Sequence, residues 1–139
     1  MTAQNQIKNI YGFDFPSDFF SFYKFIERIN NDKELVGEYN KGLGLLGMYP
    51  GKIFDVFNSD FNSRNLDLIK EGRYEADPPE FFTVLQGDTD GLHWGYYFDA
   101  PSTQTVELWV ASYYARDAFS ISANNHTLFE EAREQLESL

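Results

Sequence analysis

The stretch DPPEFFTVLQGDTDGLHWGYYFDAP, residues 77–101, decides how this chain folds. Two runs rich in aromatic and β-branched residues, Phe81–Gln86 and Leu92–Phe98, flank Gly-Asp-Thr-Asp-Gly, and an Asp-Gly step between such runs is a hairpin signal. Proline closes the stretch at both ends, where neither strand can lengthen without losing a ladder donor. Alternation along the second run sets Leu92, Trp94, Tyr96 and Phe98 on one face and His93, Gly95, Tyr97 and Asp99 on the other. The first face builds core; the second carries a polar row.

Two further runs follow, Thr105–Tyr113 and Ala118–Ser122. In the first of them Val106, Leu108 and Val110 point one way and Glu107, Trp109 and Ala111 the other, the pattern of a half-buried antiparallel strand. The connections are too short for crossover helices, so the four runs read as a meander. Upstream, FPSDFFSFYKFIERIN places Phe19, Phe22, Tyr23, Ile26 and Ile29 on one helical face, with Phe20 and Phe25 widening it. Pro16 suits the first turn, Asp18 the positive N-terminal end, and Asn30–Asn31 the stop. A last helix spans Thr127 to Ser138, with Leu128, Phe129, Ala132 and Leu136 on one face. Thr127 with Glu130, or Asn125 with Glu130–Glu131, provides its cap. Between these parts we expect a short strand at Leu43–Leu46, a turn at Pro50–Gly51, a helical segment at Ile53–Phe57 and a long polar loop over 58–77. The fold class is α+β: an antiparallel four- to six-stranded meander with an N-terminal and a C-terminal helix packed on it, residues 1–139 forming one domain.

Composition narrows the function. The 139 residues are 42% hydrophobic and 18% aromatic, too apolar for a disordered chain. Against 22 acidic residues stand 11 basic ones, a net charge of −11 that opposes binding to nucleic acid and to anionic membranes and favours basic partners. There is no cysteine, hence no disulfide, thiolate ligand or cysteine nucleophile. The N-terminal residues do not form a secretory leader and no run is long enough to span a bilayer, so the expected location is cytoplasmic.

The motifs carry little chemistry. Asp88-Thr89-Asp90-Gly91 begins like a calcium loop but lacks the later ligands, and its glycine serves the turn. His93 and His126 lie too far apart in sequence, without cysteines, for a zinc spacing. His93 beside Asp88, Asp90 or Asp99 could pair a base with an orienting carboxylate, but no nucleophile is placed. Gly42-Leu43-Gly44-Leu45-Leu46-Gly47 has the letters of a dinucleotide loop yet runs into a Pro-Gly turn and not into a helix. No metal, cofactor or catalytic residue is expected. Exposed aromatics on an acidic surface suit a protein interface instead.

At this point the order of motifs resembles a known family. Tyr11–Phe19, Leu43–Leu45, Asp77–Phe81, Gly87–Asp88 and His93–Tyr96 are similar to the opening, Leu-Gly-Leu, Asp-Pro-Pro-Glu-Phe, Gly-Asp and His-x-Gly-Tyr segments of histone PARylation factors and their bacterial relatives. The Pro-x-Asp-Phe helix and the Gly-Asp/His-x-Gly hairpin also resemble the wider SUKH superfamily of small acidic immunity proteins. The SUKH resemblance implies a non-enzymatic bacterial immunity protein that masks a toxin domain bearing a basic surface. The PARylation-factor resemblance implies an accessory or regulatory factor in protein ADP-ribosylation. That factor's catalytic acid lies downstream of the matched region, so no residue here inherits it. The immunity reading is the leading expectation, with Asp60, Asp67, Asp88, Asp90, His93, Tyr97 and Asp99 as its partner-binding residues and the chain a monomer or weak homodimer.

Overall fold

The computed structural model describes residues 2–12, 14–32, 34, 42–58, 61, 77, 81–88, 91–97, 109–114 and 121–139, of which 121–124 are described as backbone only. Helix α1, Ala3–Tyr11, precedes the first element expected from sequence. Thr2 caps it by accepting the Asn5 amide at 3.2 Å, and Gly12 ends it in the left-handed conformation at φ +82°. Only Ile7 of this helix is fully buried, while Ile10 and Tyr11 pack against the core from its edge.

Helix α2, Ser17–Asn31, begins and ends where the periodicity places it, with Pro16 just ahead of the first turn. Its buried stripe is Phe19, Phe22 and Ile26. Phe19 is fully buried and stacks on Phe54 at 4.9 Å, and Tyr23 stacks flat on Phe57 at 3.7 Å. Burying one such phenyl ring contributes about 1.5–3 kcal/mol. The rings Phe54 and Phe57 come from a 3-10 helix, Lys52–Phe57, in agreement with the helical segment expected there.

Leu43–Leu46 is not a strand. Gly42–Leu46 forms a 3-10 helix, entered through Gly42 at φ +45° against the Asn30 side chain. Nor is Pro50 a turn residue: Tyr49–Pro50 is a two-residue edge strand, β1, and proline suits an edge that needs no outward donor. The other strands are β2 (Phe81–Gln86), β3 (Leu92–Tyr97), β4 (Trp109–Tyr114) and β5 (Ile121–Asn125). All neighbours are antiparallel and the order is β1-β2-β3-β4-β5, the expected meander with one strand added in front. The hairpin between β2 and β3 closes through the Gly87 amide and Leu92 carbonyl at 2.7 Å, and Gly91 sits at φ +70°. The polar loop over 58–77 falls almost wholly outside the described residues, as do 98–108 and 115–120.

Helix α3, Leu128–Glu137, starts with the expected box: Thr127 accepts the Glu130 amide at 3.1 Å and its hydroxyl reaches the Glu130 carboxylate at 3.3 Å. Val84, Leu85, Trp94, Tyr96 and Val110 of the sheet meet Ile7, Phe19, Phe22, Ile26, Leu128 and Ala132 of the helices in one core. The opposite face of the sheet is not the solvated row expected from alternation. Phe81, His93, Ala111 and Tyr113 on it are at most 4% exposed. Val110 and Ala111 are both fully buried, so β4 is closed on two sides there and not half-buried.

Candidate functional site

Asp18 ties three elements together. It stands in the first turn of α2, yet its Oδ2 accepts the Tyr96 hydroxyl of β3 at 2.6 Å and the Leu128 amide of α3 at 2.9 Å. One carboxylate thus satisfies a buried phenol and the open N-terminal end of another helix. Its Oδ1 is buried and has no hydrogen-bond partner among the described residues. Burial holds the Asp18 carboxyl above the usual carboxylate range, although both hydrogen bonds pull it down. Burial and the Asp18 charge push the Tyr96 phenol far up, so it remains a donor at every relevant pH. One turn into α3, Glu131 is 4% exposed. Burial raises its carboxyl as well. Tyr96 is therefore a core ring whose polar tip meets a helix carboxylate.

His93 lies on the other face of β3 and is fully buried between the rings of Phe81 and Tyr113 at 5.3 and 5.5 Å. Its Nδ1 is 2.7 Å from the Gly91 carbonyl and its Nε2 is 2.8 Å from Asp77 Oδ2. Nδ1 donates to the carbonyl, and one proton between Nε2 and the carboxylate completes the second bond. The ring locks the hairpin turn to the segment entering β2. We expect His93→Leu to cost about 3–5 kcal/mol in urea denaturation, the range for breaking a buried pair. A loss under about 1 kcal/mol would remove this role from His93.

Of the expected interface residues, His93, Asp88 and Tyr97 are among the described residues, and these three do not share one surface. His93 presents no surface. Asp88 is exposed at the turn, beside Gly47, whereas Tyr97 is half-buried at the far end of β3. Asp60, Asp67, Asp90 and Asp99 lie outside the described residues. The glycines of the Gly42–Gly47 stretch pack against Asn30, Tyr49 and Asp88 in turn, so side chains fill the space where a phosphate loop would keep room for its ligand.

An open apolar feature lies elsewhere among the described residues. Helices α2 and α3 start together at Asp18, and beyond Phe129, whose ring meets Phe22 and Phe25 at 5.1 and 5.4 Å, a groove opens. Phe25, Leu46, Phe129, Ala132, Arg133 and Leu136 line its volume of about 200 Å³. Leu136 is 60% exposed on its wall, and Leu45, next to Leu46, is 51% exposed. The sequence places Phe129 and Leu136 on one face of the last helix with Leu128 and Ala132. The clue was the width of the aromatic stripe on α2, more than a single sheet face can cover.

These features define a class first: an α+β meander domain, helices on one sheet face, its buried polar groups engaged in joining elements. The model of the family histone PARylation factor 1 matches residues 2–139, and the chain belongs to that family. It is 29% identical to histone PARylation factor 1 of Danio rerio over 130 residues, which are 91% of this chain and 35% of that relative. It is 29% identical to the Mus musculus protein over 109 residues, 74% of this chain and 30% of that protein. A putative histone PARylation factor 1-like protein of Homo sapiens is 26% identical over 137 residues, 91% of this chain and 36% of that protein. The chain thus spans about a third of the length of these relatives. This family match overturns the SUKH assignment. With it fall the bacterial immunity reading and the toxin domain as partner, since the matched relatives are animal PARylation factors. Among the described residues no helix is long and apolar enough to cross a membrane.

Proposed function

We propose that the chain is a single non-enzymatic domain serving protein ADP-ribosylation as an accessory factor, acting through contact with other proteins. The observation that carries this reading is family membership along almost the whole chain, since the relatives are by name factors in the PARylation of histones. The site supports it from the other direction. Glu131, Tyr96 and the His93–Asp77 pair are buried links between elements, with Asp18 half-buried beside Tyr96, and a group sealed from substrate has no proton to exchange with it. The acidic exterior and the groove between α2 and α3 are the parts a partner protein meets.

The test adds the purified chain to a poly-ADP-ribose polymerase with histone as acceptor and follows rate and modified residue by mass spectrometry. We expect a change in either quantity that saturates with added chain. Identical rates and acceptor residues at saturating concentration would sink the accessory role.

A further inference from the structure

We propose that α3 is a charge-controlled latch, a helix that lifts off α2 and the sheet as a unit while the rest of the domain stays folded. Its apolar seat is narrow. Leu128 is the one large apolar side chain of α3 that is fully buried; Ala132 beside it is small, Phe129 is 38% exposed and Leu136 60%. Past Phe129 the helix does not close on its neighbours, and a space of about 200 Å³ stands between it and Phe25 and Leu46. Nor does the helix sustain itself. It has ten residues, Glu134 and Glu137 stand toward its negative end, and its last turn holds no basic residue. The hinge, by contrast, is fixed: His126, just ahead of the Thr127 cap, has its ring 4.1 Å from that of Trp109 on β4.

The charges at the seat supply the control. Asp18 of α2 is half-buried and reaches across to the Leu128 amide at 2.9 Å while it holds the Tyr96 hydroxyl at 2.6 Å. Glu131, on the inward side of α3, is 4% exposed. Among the described residues neither carboxylate pairs with a lysine or arginine. The charged groups that act on them are acidic: Glu130 on Asp18, and Glu134 with Glu130 on Glu131. From β3 Asp18 meets the Tyr96 phenol, which stays neutral. Burial without a cation favours the protonated form of each carboxyl. The docked helix therefore holds these protons more tightly than the lifted one, in which both groups regain water. Docking is strongest in acid and weakens as pH rises from the solvated carboxylate values through the raised docked ones. Lifting α3 bares the rings of Phe22 and Phe25, which Phe129 covers, so an apolar face of α2 is offered in the open state alone.

The test is amide hydrogen exchange of the full chain, read residue by residue at pH 4.5 and pH 7.5 and corrected for intrinsic rates. At pH 7.5 we expect the amides of Ala132, Arg133 and Leu136 to open at least about tenfold more often than those of β3 and β4. Their opening should also depend less on urea, the mark of an event smaller than global unfolding. At pH 4.5 the ratio of the two opening constants should shrink at least about threefold. Asp18→Asn with Glu131→Gln should remove this change with pH. Glu131→Gln alone leaves both Asp18 bonds in place and should remove part of it, so a double variant that fails to fold does not end the test. One opening constant and one urea slope for α3 and the sheet would make them a single unit and overturn the latch. So would a ratio that stays constant with pH in the wild type. A ratio that moves as far in the variants as in the wild type overturns it too, for then another group, such as His126 at the hinge, sets the opening.

Discussion

Gly95→Ala should abolish the native fold or lower its stability by at least about 4 kcal/mol, well above the ordinary cost of a point change. The cause is steric. A methyl group at Gly95 lands on the Phe82 carbonyl oxygen, 2.7 Å from the carbonyl carbon and 3.0 Å from the Phe81 ring. The register between β2 and β3 shifts between Thr83 and Leu85, beside the pairing of Thr83 with Gly95, and here β2 runs close across β3. Backbone, unlike the end of a side chain, cannot swing aside, and β3 is the central strand with Ala111 of β4 fully buried on its other flank. Gly12→Ala is the control. Gly12 is left-handed at φ +82° with nothing within 4 Å of an added methyl, so its cost is conformational alone, about 1–2 kcal/mol. Urea denaturation followed by tryptophan fluorescence compares the two. A Gly95→Ala midpoint no lower than that of Gly12→Ala would mean that β2 does not approach β3 in this way.

The contrast between these glycines also shows what a sequence discloses. The Asp90-Gly91 step, alternation through Leu92–Tyr97 and the Thr127–Glu130 box are local signals, and the hairpin and the start of α3 follow from them. Helix α1 has the same kind of signal, Thr2, Ile7, Ile10, Tyr11 and Gly12 at helical spacing, but in a window too short and polar to stand out. Leu43–Leu46 is a short apolar run, which periodicity cannot assign, and only contact with Asn30 and Tyr49 settles it as 3-10 helix. His93 looks like part of an exposed row because alternation says which side a residue faces and not what covers that side. The Asp18 bridges are less legible still, spanning 78 and 110 residues. Asp18 reads as a favourable charge at the start of its own helix, and nothing local shows that it also serves Leu128.

That remote service makes Asp18 the second place where one substitution should be costly. Asp18→Ala leaves the buried Tyr96 hydroxyl and the first amide of α3 without their acceptor, and we expect a loss of about 3 kcal/mol. Asp18→Asn keeps an acceptor oxygen and should lose less, about 1 kcal/mol. The pH dependence separates the charge from the hydrogen bonds. Burial raises the native carboxyls of Asp18 and Glu131 above their unfolded values, so the folded chain binds these protons more tightly than the unfolded chain does. Their contribution is therefore greatest in acid and is lost as pH rises from the unfolded carboxylate values through the raised native ones. The exposed carboxylates of a chain at −11 repel one another with the same sign of pH dependence, so the wild-type slope alone does not identify the two buried groups. The double variant Asp18→Asn with Glu131→Gln leaves the exposed acids in place and removes two buried protons from the linkage. Its unfolding free energy should fall less steeply from pH 4 to pH 7 than that of the wild type, a difference that persists in high salt because buried groups are poorly screened. Parallel slopes for the two proteins would show that Asp18 and Glu131 ionise in the native chain as they do in the unfolded one, and that burial leaves their charges undisturbed.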